Sequence, residues 1–174
     1  MFEMFELPLD EEILQCAKIR AKNQRANKNS FERGKGNFVG YVGEYAVKKF
    51  LGLPFEPSTK DYDFILDGKR YEVKTKKTKY EVLPHYEGSV DTHSAKQDCD
   101  YYLFCRAIVT VPDAGIDQVF AFGYFPKKSY MKKAKFRKKG ERDESNGWTV
   151  KKDCFNLEYQ LLKPFSKLVK MATV

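Results

Sequence analysis

Asp63, Glu72 and Lys74 are the residues of this 174-residue chain whose types and spacing suit joint chemistry. They flank Asp67-Gly68, a pair suited to a type I′ hairpin turn, which needs positive φ at both central residues. The runs at 61–66 and 69–77 are rich in aromatic and β-branched residues, so the stretch reads as two strands joined by that turn. The turn sets the register: Leu66 faces Lys69, Ile65 faces Arg70, Phe64 faces Tyr71 and Asp63 faces Glu72. Strand side chains alternate. Tyr62, Phe64, Leu66, Tyr71 and Val73 therefore share a core face, and Asp61, Asp63, Glu72, Lys74 and Lys76 share the other. Opposed Cβ atoms lie about 4.5–5.5 Å apart, and like charges so placed are destabilising. A divalent cation would relieve Asp63 and Glu72, since Mg²⁺ is often held by only one or two carboxylates. Lys74 leaves the same face, within reach of a water or phosphate at such an ion. The plainer alternative is an exposed hairpin face laced with cross-strand ion pairs.

The set Asp63, then Glu72-Val73-Lys74, resembles the core motif of the PD-(D/E)xK nuclease superfamily, with Tyr62 where the motif's name has proline. The resemblance runs from Gly43 to about Tyr101. It implies an α/β fold: a single three-layer domain whose mixed central β-sheet is flanked by helices, a restriction-endonuclease-like core. The activity implied is metal-dependent hydrolysis of DNA phosphodiester bonds with Mg²⁺ or Mn²⁺. Asp63 and Glu72 would bind the metal, with the Val73 carbonyl as a further ligand. Lys74 would orient or deprotonate the water, or stabilise the transition state. In this superfamily a helix before the hairpin often supplies a glutamate to the metal site, and Glu44 in Gly43-Glu44 is placed as that residue is, so it would complete the metal shell or hold a second ion. Its plainer role is an i, i+4 pair with Lys48. Gln97 and Tyr101 match the Gln-x-x-x-Tyr pattern of the RecB-like branch, which would set Gln97 beside Lys74. One branch carries an iron–sulfur cluster; Cys16, Cys99, Cys105 and Cys154 match its cysteine order loosely and lack its close pair. The other reading of the four is reduced, partly buried thiols.

Residues 127–142 contain nine basic side chains and one acidic, so this segment carries the whole formal charge of +8. Such a stripe is the footprint of a protein that meets phosphates. Lys76, Lys132, Lys133, Arg137, Lys138 and Lys139 are the candidate nucleic-acid contacts. The alternative is a solvated, exposed basic loop.

The elements that must position these groups follow from periodicity. A helix is expected over 10–27, capped by Asp10, and a second, largely apolar one over 37–51, ending at Gly52. A polar connection fills 28–36. Residues 80–94, with Pro84 and Gly88, read as a loop carrying both histidines, His85 and His93, without zinc-ligand spacing. A short helix is expected at 92–97. The apolar run 101–111 reads as a central strand buried on both faces. A turn at 112–115 leads to a strand at 118–124, a short helix at 127–133, a flexible loop at 135–146, a closing hairpin or edge strands at 148–150 and 157–162, and a last helix at 165–171. The chain fits one domain. Its 14 Phe and 11 Tyr argue against disorder. No apolar run approaches the roughly 18 residues of a membrane span, and the acidic N-terminus is unlike a signal peptide. These features suggest a cytoplasmic protein with no membrane partner; the resemblance implies DNA as the partner and leaves room for a homodimer. Two other classes stay open: a non-catalytic DNA-binding protein on the same fold, and a basic RNA- or protein-interaction module.

Overall fold

The computed structural model describes residues 2–24, 35–56, 58–111, 115–144 and 147–173. Most of the connection expected at 28–36, the end of the first helix at 25–27 and the turn at 112–114 lie outside the described residues.

Helix α1 spans Glu11–Gln24 and buries Ile13, Ala17 and Ala21. Asp10 caps it by accepting the Ile13 N–H at 3.1 Å, which satisfies one of the orphan donors of a helix start. Helix α2, Lys35–Phe50, buries Val39, Val42, Ala46 and Val47 and gives way to Gly52 at φ 68°. Strands β2 (Phe64–Leu66) and β3 (Lys69–Thr78) pair in the expected register, Phe64 with Tyr71 and Leu66 with Lys69. The turn holds Asp67 at φ 48° and Gly68 at φ 66°.

Strand β5, Tyr101–Ile108, runs parallel to β3 and antiparallel to β6, Gln118–Pro126. A short strand β1, Phe5–Leu7, pairs with the far edge of β6. The sheet order is β1-β6-β5-β3-β2, a mixed sheet of five strands. Its centre is β5, as the continuous apolar run implied. Alternation along β5 sends Leu103, Cys105 and Ala107 into a core shared with α1, α2 and the C-terminal helix α4 (Phe165–Ala172). Tyr102 and Phe104 enter a second core on the opposite face.

That second face departs from expectation. It is covered by another sheet, not by helices alone: β4 (Glu87–Asp91), β7 (Lys135–Arg137) and β8 (Cys154–Glu158), in the order β4-β8-β7. Helix α3, Lys127–Lys133, joins this layer through the buried Tyr130, whose hydroxyl donates to the Gly88 and Phe155 carbonyls at 3.1 and 2.7 Å. The expected loop at 80–94 thus contains a strand, and so does the expected flexible loop at 135–146. In β4 only Val90 among Glu-Gly-Ser-Val-Asp is an apolar signal. The strand is held by β8, and a Cβ at Gly88 would meet the Phe104 ring at 2.5 Å. The expected strand at 148–150 is reduced to one bridge, Arg142 with Thr149. The expected helix at 92–97 is a single 3₁₀ turn, Ser94–Lys96.

Gly43 lies where α2 crosses β3. A Cβ there would stand 1.9 Å from Thr75 Oγ1, so only glycine lets the helix approach this closely. Gly43→Ala is therefore expected to destabilise the protein. Overpacking of about 1–3 kcal/mol outweighs the roughly 1 kcal/mol that alanine adds to helix propensity. Urea unfolding checks it, and Gly43→Ala/Thr75→Ala should recover part of the loss.

Candidate active site

Five of the predicted residues meet, although they come from four separate stretches of chain. Asp63 stands one residue before β2. Its N–H donates to the Tyr71 carbonyl at 2.8 Å, and its Oδ2 accepts the Val73 N–H at 2.8 Å. Strand β3 thereby fixes both ends of the residue. The preceding turn is held by Thr59, whose Oγ1 accepts the N–H groups of Asp61 and Tyr62 at 3.1 and 3.0 Å, a local competitor of regular pairing. Because β2 starts only at Phe64, alternation does not extend to Tyr62. That ring packs into the second core and not, as expected, with Phe64 and Tyr71.

Glu72 and Lys74 leave β3 toward the second sheet, so they are enclosed: Glu72 is 8% exposed. Lys74 Nζ donates to Glu72 Oε1 at 2.9 Å and to Gln97 Oε1 at 2.8 Å. Gln97 Nε2 returns to Glu72 Oε1 at 3.0 Å and also bonds the Lys60 carbonyl at 2.8 Å. The three side chains close a ring of hydrogen bonds that fixes the ammonium. Gln97 follows the 3₁₀ turn, with Tyr101 opening β5, so the two residues do not share the helix that the Gln-x-x-x-Tyr pattern implied.

Glu44 reaches the group from α2. It is 2% exposed and pairs with Lys48 at 2.6 Å and Arg20 at 2.8 Å. Lys48 also donates to the Glu56 carbonyl at 3.0 Å, and the Arg20 guanidinium lies 4.1 Å from the Tyr41 ring centre. The plain pairing with Lys48 is therefore present, and Glu44 also abuts Asp63. Burial, then the charges of Glu72 and Glu44, push the Asp63 carboxyl well above the usual carboxylate range. Arg20 was not foreseen as a site residue. In sequence it is one of several basic residues near a helix end, and only the packing of α1 on α2 brings it to Glu44.

The residues fit a divalent ion in part. Asp63 and Glu72 supply hard oxygens, the Asp63 carboxyl being raised by burial and then by the charges of Glu72 and Glu44, and Mg²⁺ needs few protein ligands. Glu44 oxygens are engaged by Lys48 and Arg20. Among the described residues no three His, Cys, Asp or Glu side chains form a ready-made cage. The four cysteines are free thiols; Cys105 and Cys99 belong to opposite cores, which does not suit a shared iron–sulfur cluster.

The predicted phosphate contacts divide. Lys132, Lys133, Lys138 and Lys139 are exposed. Arg137 is instead held by Glu87 at 2.9 and 3.1 Å and lies 3.5 Å from Asp143, so it pins β7 to β4. Lys76 is also enclosed. It bonds Ser89, and burial together with the Arg106 charge pushes its ammonium down to about 8. Lys127 Nζ bonds the Gln97 carbonyl, which places the start of the basic segment against the Lys74 ring.

No family model, curated protein or solved structure matches this chain.

The crowded carboxylates carry a stability signature. The folded protein holds the Asp63 proton to higher pH than the unfolded chain does. The contribution of Asp63 to stability is therefore fully present below about pH 4, the ordinary aspartate value, and is lost as pH rises through the raised folded value. Asp63→Asn keeps an acceptor for Val73 N–H and removes the charge. It is expected to raise Tm at pH 7, by roughly 2–4 °C for each kcal/mol relieved, and to flatten the decline of Tm above pH ~4. Thermal unfolding of both proteins across pH checks this.

Proposed function

We propose that this protein is a metal-dependent deoxyribonuclease on a PD-(D/E)xK, restriction-endonuclease-like core. The observation that carries the reading is the convergence of Asp63, Glu72, Lys74, Gln97 and Glu44 at the edge of the mixed sheet. Chance ion pairing on a hairpin face does not require a glutamine from a distant turn or a glutamate from a buried helix. Asp63 and Glu72 are the residues that would hold Mg²⁺ or Mn²⁺. Such an ion supplies Lewis acidity toward the phosphoryl oxygen and lowers the pKa of water.

The chain's own groups do the rest. Lys74 presents a fixed positive charge where the pentavalent phosphate gains negative charge, and a donor preorganised in an enclosed site costs no reorganisation during the reaction. Gln97 holds that ammonium by accepting from it while donating to Glu72. Glu44, itself anchored by Arg20 and Lys48, stands behind Asp63 as one of the two carboxylates whose charge Asp63 feels. The basic segment begins at Lys127, beside Gln97, and the exposed lysines at 132–139 provide a track for the DNA backbone, which positions a strand without reading its sequence.

The test is cleavage of linear, closed circular, single-stranded and branched DNA with Mg²⁺ or Mn²⁺. Lys74→Ala is expected to lose about a hundredfold or more in rate, the scale of removing one preorganised donor, while keeping its fold. Either ion should raise Tm of the wild type, because a ligand of the folded state alone stabilises it, and raise it less in Asp63→Asn. A wild-type protein that binds DNA yet leaves it intact with both ions would overturn the reading in favour of a binding protein.

Salt dependence tests the basic track. Replacing Lys132, Lys133, Lys138 and Lys139 with Ser is expected to weaken binding to all duplex sequences alike. The log–log salt slope should flatten by about 0.9 for each phosphate contact removed. Arg137 is left in place because its loss would free β7. An unchanged slope removes the segment from the binding surface.

A further inference from the structure

Beside the Lys74 ring lies a cleft of about 160 Å³ lined by Lys76, Ser89, Asp91, Trp148, Lys151, Lys152 and Cys154. Two connections tie it to the candidate active site. Lys76 follows Lys74 on the same face of β3, about 6.6 Å farther along the strand. Asp91 accepts the Ser94 N–H at 2.6 Å and so holds the start of the 3₁₀ turn that precedes Gln97. A strand of DNA seated at Lys74 would pass this cleft next.

Its chemistry is specific. Three lysines stand against one aspartate, Asp91, which lies 4.0 Å from Lys152 and offsets one of them, so the remaining balance favours an anion. Trp148 is 40% exposed, and its ring centre lies 5.5 Å from Lys76 Nζ. Lys76 is braced from below by Ser89, which in turn bonds Asn156. The cation therefore supports the indole from within. The volume is below the roughly 300–1,000 Å³ of sites that enclose a whole drug-sized ligand. The cleft suits one planar group laid against an indole, with an anion on the lysines beside it. A nucleotide combines those two features.

We infer that this cleft is a nucleotide subsite: an unpaired base of the DNA strand stacks on Trp148, and its phosphate is held by Lys151 and Lys152, next to the bond to be cut. The inference rests on the nuclease reading and extends it, because a base is free to stack only where the strand is single, frayed or branched. Stacking on an aromatic side chain tolerates any base, so the subsite selects DNA structure and not sequence.

Trp148 is the chain's single tryptophan, so its fluorescence reports on this cleft alone. The experiment titrates the wild-type protein, in EDTA to prevent cleavage, with a dye-labelled short oligothymidylate, an abasic oligomer of equal length and a blunt duplex. Anisotropy of the label reads binding, and indole emission reads stacking. The expected result is quenching by oligothymidylate that saturates with its binding, no quenching by the abasic strand, and affinity for the abasic strand about tenfold lower. Trp148→Ala should lose about tenfold for oligothymidylate and little for blunt duplex, with Trp148→Phe retaining most of the affinity. Oligothymidylate that binds without changing indole emission overturns the subsite and leaves the nuclease reading intact, provided the wild type cuts DNA with Mg²⁺. Equal affinity for abasic and thymidylate strands overturns it too. A protein that neither binds nor cuts any of these DNAs overturns both.

Discussion

The fold is arranged around negative charge held out of water. Glu44, Asp63 and Glu72 approach one another at the edge of the sheet, and Asp63 feels both neighbours. Isolated buried charge is expensive unless paired and hydrogen-bonded. Each carboxylate is accordingly provided with its own partners: Lys48 and Arg20 for Glu44, the Val73 amide for Asp63, Lys74 and Gln97 for Glu72. These partners come from α1, α2, β3 and the turn before β5. The arrangement of helices over the sheet is thus coupled to the electrostatics of a single spot. Glu44 has two cations and Glu72 one, whereas Asp63 meets the Val73 amide and the Glu44 carboxyl.

The second sheet makes that spot chemically distinct from a surface. Without it, the Glu72 and Lys74 face of β3 would be solvated, and an exposed ion pair is worth little. With β4, β8 and the turn at 94–96 laid over this face, Lys74 is fixed between two acceptors, and Lys76 is half-buried beside Trp148. Arg137 and Tyr130 matter here as fasteners. One joins β7 to β4 through Glu87, and the other ties α3 to the carbonyls of Gly88 and Phe155. The basic segment is consequently not a free tail. Part of its charge holds the lid of the site in place, and the remainder faces solvent.

Close approach of backbones is the other requirement. Gly43 lets α2 press onto β3 at Thr75, and the next residue, Glu44, is thereby delivered to Asp63. Gly88 does the same for Phe104 on the opposite face. Each glycine sets a distance between layers, and each distance decides whether a neighbouring side chain reaches its partner.

The hairpin was legible in the sequence because its determinants are local. Asp67-Gly68 dictates the turn, the turn dictates the register, and the register sets Asp63 against Glu72. The buried strand at Tyr101–Ile108 and the helix at Lys35–Phe50 were legible for a related reason: long apolar runs and helical periodicity persist over many residues. Strands β4 and β7 were not. Glu87–Asp91 and Lys135–Arg137 are short and mostly polar, and they become strands only because β8 pairs with both. Chain chemistry alone could nominate Asp63, Glu72 and Lys74, while Glu44 and Gln97 were nominated by the resemblance. It could not tell which lysines face water, since Lys76 and Lys138 are alike in type and differ only in what packs above them. Nor could it show that Arg20 anchors Glu44, a contact between residues 24 positions apart. Sequence by itself determined the local geometry of turn and strand, where neighbours along the chain carry the information. Tertiary structure alone decided burial, ion pairing and the enclosure of the site, because those depend on which distant surfaces meet.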